Sequence, residues 1–267
     1  MLLQAALNGG LTEGDHPAVP VSPEELAEDA VACARAGVRA FHLHPRDAEG
    51  RERLDAEVVD EVVVKVREAC RVPVGVTTGA WIQPELPRRL ALVRAWRAPD
   101  YATVNLSEPG ATEIMKVLIG AGIGIEACVR TVADAGLLAR SGLGDSLLRI
   151  CVQPTAISPA EAAAFVGEIH AVLDGAGLTA PRLQHGDGEA TWVLLTDAVR
   201  RGLDTRVGLE DTLHEPGGEL TTGNEGLVRT ARELGAVPGH DEDPGIAGAD
   251  ASYAHRQPPG FNSRSGI

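Results

Sequence analysis

A closed (β/α)₈ barrel forming a single α/β domain is the fold this sequence predicts. Three observations predict it. Short β-like runs alternate with helical runs eight times along the chain. The length, 267 residues, is close to the roughly 250 of one such barrel. The strand-to-helix connections are rich in Gly, Asn, Asp, Thr and His, whereas the helix-to-strand connections are short and bland, as in Ala36-Gly37, Cys70-Arg71 and Ala121-Gly122. Chemistry in a barrel gathers at the C-terminal ends of the strands, which is the side the polar connections occupy.

The elements follow in order. The predicted strands are Leu2–Leu7, Val38–His44, Val72–Thr77, Tyr101–Asn105, Ile123–Cys128, Leu148–Gln153, Pro181–His185 and Thr205–Glu210. The first helix opens on Ser22 as N-cap, with Pro23 at its first position and Glu25 completing a capping box, and Gly37 closes it after Ala36. Further helices are predicted over Ala56–Ala69, Pro84–Trp96, Ala111–Ala121, Val132–Arg140, Ser158–Leu173, Glu189–Arg201 and Gly223–Leu234. A doubly wound open sheet would leave units over, and no G-x-G-x-x-G follows the first strand. The barrel is assigned to residues 1–238. Residues 239–267, rich in Gly, Asp, His, Pro and Ser, are read as an irregular tail.

Composition excludes several functions. No apolar run approaches the ~20 residues of a membrane span. The N-terminal stretch lacks the basic start of a signal peptide. The four cysteines have no C-x-x-C spacing and are read as reduced thiols of a cytoplasmic protein. A net charge of −14 argues against nucleic acid, and 3% aromatics offers few stacking platforms for bases. A few local arginines can still hold a small anion.

The sharpest local signal is Phe41-His42-Leu43-His44-Pro45-Arg46-Asp47. Residues i and i+2 of a strand share a face, so His42 and His44 point together toward the barrel mouth. Imidazole is the commonest metal ligand near neutral pH. The last strand ends Arg206-Val207-Gly208-Leu209-Glu210-Asp211, with Arg206, Gly208 and Glu210 on one face. In a closed barrel strands eight and two both flank strand one, which brings Glu210 within reach of a metal held by the two histidines. Two His and one carboxylate leave positions open for substrate, and they suit zinc, manganese or iron alike. The plainer reading of Glu210-Asp211 is a capping pair.

Almost every other strand end adds a hydrogen-bonding group: Asn8, Thr77-Thr78-Gly79, Asn105 with Ser107, Glu126 with Arg130, Gln153 and His185. A polar substrate at the mouth requires such groups. Each also has a structural reading: Thr77 and Asn105 as caps, Glu126 paired with Arg130, His185 as a satisfied loop histidine.

Taken together, the Asn8-Gly9-Gly10 loop, Pro20 to Glu25, His42-Leu43-His44-Pro45-Arg46-Asp47, Thr77-Thr78-Gly79, Thr103-Val104-Asn105 and Arg206 to Asp211 resemble the β-keto acid cleavage enzyme family. The resemblance spans nearly the whole barrel. It implies Zn²⁺ on His42, His44 and Glu210, and a base and its partner in Asp211 and Arg206. The implied reaction takes a β-keto acid and acetyl-CoA, as co-substrate, to acetoacetate and a new acyl-CoA: deprotonation of acetyl-CoA, addition to the keto group, thioester transfer and retro-Claisen cleavage. Thr77, Thr78 and the Gly79 amide would bind the substrate carboxylate, with Asn8, Asn105, Glu126 and His185 also lining the site. The acidic residue that meets a substrate amine in the type enzyme falls at Gly10, which implies a substrate without that amine. The family suggests a homotetramer. Metal-assisted hydrolysis or lyase chemistry without CoA, and a non-catalytic barrel binding a small acid, are the competing readings.

Overall fold

The computed structural model describes residues 1–155 and 157–237; the proposed tail lies outside the described residues. Eight parallel strands close into a barrel: β1 Leu3–Ala6, β2 Ala40–Leu43, β3 Val74–Thr77, β4 Tyr101–Asn105, β5 Gly124–Val129, β6 Arg149–Val152, β7 Arg182–Gln184 and β8 Asp204–Val207. Each strand pairs with its sequence neighbours, and β8 pairs back onto β1. The helices are α1 Pro23–Ala36, α2 Ala56–Cys70, α3 Leu86–Ala95, α4 Ala111–Ala121, α5 Val132–Arg140, α6 Pro159–Gly175, α7 Thr191–Arg201 and α8 Asn224–Glu233. The predicted barrel is therefore the fold. No helix among the described residues is long and apolar enough to cross a membrane.

Local chemistry sets the boundaries. Ser22 and Glu25 form the expected capping box of α1, and Gly37 ends that helix in a left-handed conformation at φ 115°. The main apolar core lies between strands and helices, where Phe41, Leu43, Val74, Val76, Ile125 and Ile150 meet helix residues such as Val59, Val62 and Ile169. The barrel interior is partly polar. Gln4 Nε2 donates to Tyr101 Oη (2.8 Å) and to Glu126 Oε2 (2.9 Å), and the Arg149 guanidinium lies 2.9 Å from that same carboxylate. Buried charge is tolerated there because it is paired and hydrogen-bonded.

The last strand differs from expectation in a way that matters for the site. It ends at Val207, not Glu210. Gly208 starts a turn in which the Asp211 and Thr212 amides donate to the Gly208 carbonyl (2.9 and 3.0 Å). A Cβ on Gly208 would sit 2.0 Å from the Ala6 carbonyl oxygen, so only glycine lets this turn close against β1. Glu210 thus reaches the mouth on a turn rather than by strand alternation.

Candidate active site at the barrel mouth

His42 and His44 rise from the end of β2, and Glu210 comes from the turn after β8. One ligand atom from each lies within 4.8 Å of the others. His42 Nε2 is 3.5 Å from Glu210 Oε2, and His44 Nε2 is 3.8 Å from Glu210 Oε1. Gly9, at φ +51°, makes room for this carboxylate: a Cβ there would lie 2.5 Å from Glu210 Cγ.

Hydrogen bonds behind the ring fix which nitrogen of each imidazole is free. Thr103 Oγ1 donates its single proton to Glu126 Oε1 (2.7 Å), so it accepts from His42 Nδ1 (3.1 Å). His44 Nδ1 lies 2.5 Å from Glu52 Oε1, a carboxylate that only accepts. Both Nδ1 atoms therefore carry the proton, and both Nε2 lone pairs face Glu210. Burial lowers the His42 pKa to about 4, which keeps the ring neutral. Burial opposes ionisation of Glu210, and Arg206, whose Nη2 holds its Oε1 at 2.7 Å, is the strongest of the neighbouring groups that together outweigh it and keep the carboxylate ionised. Its buried Oε2 has no hydrogen-bond partner among the described residues. Two imidazole lone pairs and an unpartnered carboxylate oxygen form a donor set that fits a divalent cation.

The sequence reading gave no role to Glu52, Trp81 or Thr103, although Thr103 lies in one of the segments that carry the family resemblance. Glu52 has no local signature. The Asp47–Gly50 turn folds the loop back, and Arg46 and Glu52 bridge antiparallel, which swings Glu52 beside His44. The turn-forming Ala48-Glu49-Gly50 was the one available hint. Trp81 Nε1 donates to Glu52, and its ring stacks on His44 with centroids 5.9 Å apart. Carboxylates behind ligating histidines orient the ring and raise its basicity. Glu52→Gln is expected to weaken divalent-metal binding about 10–100-fold in a chelator-competition titration, with an unchanged far-UV circular dichroism spectrum.

The Arg206–Asp211 pair sits beside this cluster. Arg206 Nη2 is 2.7 Å and Nε 3.1 Å from the Asp211 carboxylate. Burial raises the Asp211 pKa, and Arg206 holds that rise back. His185 lies close by, with Nδ1 3.4 Å from Asp211 Oδ1 and 3.1 Å from the Gly186 carbonyl. Burial keeps His185 neutral, and its Nε2 has no partner among the described residues. A cavity of about 620 Å³ opens on Glu210 and Asp211, walled by Leu11, Trp192, Leu213 and His214.

The remaining residues singled out in the sequence are placed differently. Asn8 is fully buried and clamps the His44 backbone: its Oδ1 accepts from the His44 amide (2.9 Å) and its Nδ2 donates to the His44 carbonyl (3.0 Å). Thr78 donates to the Thr103 carbonyl (2.8 Å), and the Gly79 amide donates to Thr77 Oγ1 (3.2 Å). Asn105 donates to Glu108 (2.8 Å). Glu126 lies inside the barrel behind His42 and pairs with Arg149, not with Arg130.

Comparison with known proteins follows this geometry. A family model described as beta-keto acid cleavage enzyme matches residues 1–241. The chain belongs to the β-keto acid cleavage enzyme family. Within this family's reach, the chain is 27% identical over 273 residues to a 3-keto-5-aminohexanoate cleavage enzyme from Fusobacterium nucleatum, covering 88% of this chain and 92% of that protein. It is also 27% identical over 108 residues to a 3,5-dioxohexanoate:acetyl-CoA acetone transferase from Paraburkholderia graminis, a match spanning 40% of this chain and 34% of that one. Among solved structures, ObcA in a ternary complex with a C4-CoA adduct and oxalate superposes with a TM-score of 0.65 at 18% identity. That likeness covers 81% of the β-keto acid cleavage family chain described here and 63% of ObcA, and it bears on the fold alone.

Proposed function

We propose that this chain is a divalent-metal-dependent β-keto acid cleavage enzyme that converts a β-keto acid and acetyl-CoA to acetoacetate and a new acyl-CoA. One observation carries the reading beyond the family match. Both ligating histidines have their Nδ1 protons tied to carboxylate-backed acceptors, so that two lone pairs and Glu210 converge on one point beside a buried carboxylate. His42, His44 and Glu210 would hold the ion, with zinc the first choice. When bound, a divalent cation supplies Lewis-acid polarisation of the keto oxygen.

The chain's own residues supply the proton chemistry. Asp211, its basicity raised by burial, takes an α-proton of the keto acid rather than of acetyl-CoA, because acetoacetate requires the carboxylate-bearing α-carbon to join the acetyl carbonyl carbon. Arg206 orients that carboxylate with two of its nitrogens and holds Glu210 with the same guanidinium. The α-carbon then bonds to the acetyl carbonyl carbon, and the CoA thiolate expelled from that carbon adds to the keto carbon. The original bond between the keto carbon and the α-carbon breaks. The α-carbon takes back the proton from Asp211 and leaves as acetoacetate with the acetyl carbons, and the keto carbon leaves as the thioester.

The test is a panel of β-keto acids incubated with acetyl-CoA and the metal-loaded protein, read by mass spectrometry of CoA esters. A new acyl-CoA formed together with acetoacetate is the expected result. Consumption of a keto acid with no new thioester would replace this reading with CoA-independent lyase chemistry.

A further inference from the structure

Among the described residues, Arg206 and Arg46 near the mouth are committed and Arg130 is not. Arg206 is held by Asp211 and Glu210. Arg46 donates to the carbonyls of Gly9, Leu11 and Gly50. Arg130, directly after β5, has a backbone amide bonded to Asp134 (3.0 Å), but its guanidinium makes no hydrogen bond or ion pair with any described residue. Its Nε is nevertheless shut off from solvent. Glu126, the partner the sequence offers it, is taken by Arg149, Gln4 and Thr103.

Arg130 also stands on the side that faces the chemistry. Glu126 and Cys128 turn into the barrel, and Arg130 is the next residue of that parity, one position beyond the end of β5. Burial raises the Asp187 carboxyl, and Arg206 and Arg130 together oppose that rise, so the Arg130 charge is felt in the loop beside His185.

We propose that Arg130 anchors the carboxylate of the keto acid substrate. This rests on the cleavage reading above for the identity of the acid. At the end of β3 the Gly79 amide is bonded to Thr77 and the Thr78 hydroxyl to Thr103, which leaves the Thr77 hydroxyl proton as a neutral donor and no cation there. An anion entering a mouth that carries Asp187, Glu210 and Asp211 needs a cation, and a half-buried guanidinium without a partner is a fork matched to a carboxylate. The phosphates of CoA are the other anionic source. They lie at the far end of the pantetheine arm, away from the reacting thioester, whereas Arg130 directly follows β5 at the mouth end of the barrel.

The experiment is calorimetric titration of metal-loaded wild type, Arg130→Gln and Arg130→Lys with acetoacetate, methyl acetoacetate and acetyl-CoA. Arg130→Gln is expected to weaken acetoacetate binding about 10–100-fold. The uncharged ester should bind wild type and variant alike, acetyl-CoA should be unaffected, and Arg130→Lys should recover part of the loss. Equal acetoacetate affinity in wild type and Arg130→Gln overturns the proposal. So does a loss confined to acetyl-CoA, or wild type that does not bind acetoacetate. Acid-selective binding lost in Arg130→Gln, in a protein that forms no acyl-CoA, sinks the cleavage reading and leaves the anchor in place.

Discussion

Asp211→Asn is expected to lower kcat about 10²–10⁴-fold, the usual contribution of a positioned general base. The amide is nearly the same shape and keeps an oxygen that can accept from Arg206, but it cannot take a proton. Arg206 retains Glu210 Oε1 at 2.7 Å, so its buried charge is not stranded. The fold should survive with a stability loss of about 1–3 kcal/mol, the scale for weakening one charged hydrogen-bond pair. The Asp211 backbone carbonyl, which accepts from Gly188 (2.8 Å) and Thr191 (3.2 Å), is untouched. The check is single-turnover formation of acyl-CoA, with thermal unfolding and metal content measured on the same sample. Full activity in a folded, metal-loaded Asp211→Asn protein would remove Asp211 from the chemistry.

The His42→Ala, His44→Ala double variant is expected to emerge from purification with no bound metal, against near-stoichiometric metal in the parent. Removing both imidazoles leaves Glu210 alone, and a single carboxylate already engaged by Arg206 does not retain a transition metal at low concentration. Elemental analysis after dialysis reads the outcome directly. Each His→Ala change also strips a proton donor from its partner, leaving Thr103 and Glu52 with vacant acceptor sites. Both lie near the mouth, where water can replace the ring, so the barrel should remain folded. Parent protein that binds no zinc, manganese or iron when these are supplied would undo the metal reading.

Much of the site was legible because barrels obey simple rules. A strand end carrying His42 and His44, and a chain end carrying Arg206, Glu210 and Asp211, can be joined on paper once strands two and eight are known to flank strand one. The same rules could not tell a substrate contact from a scaffold bond. Asn8, Thr78 and Asn105 are polar residues at strand ends, but their hydrogen bonds go to His44, Thr103 and Glu108. Which partner a side chain finds depends on distances of a few tenths of an ångström between segments far apart in sequence.

The sequence by itself determined the barrel, the order of its eight units and the convergence of two histidines with a carboxylate. Periodicity, capping residues and parallel-strand topology are properties of chain order. The tertiary structure alone decided that Glu210 arrives on a turn, that Glu52 and Thr103 set the imidazole tautomers, and that Glu126 chooses Arg149 and leaves Arg130 uncommitted. Those outcomes are competitions among buried polar groups for a limited number of partners. They are settled by packing geometry, because an unpaired charge or donor in a low-dielectric interior is costly enough to dictate the choice.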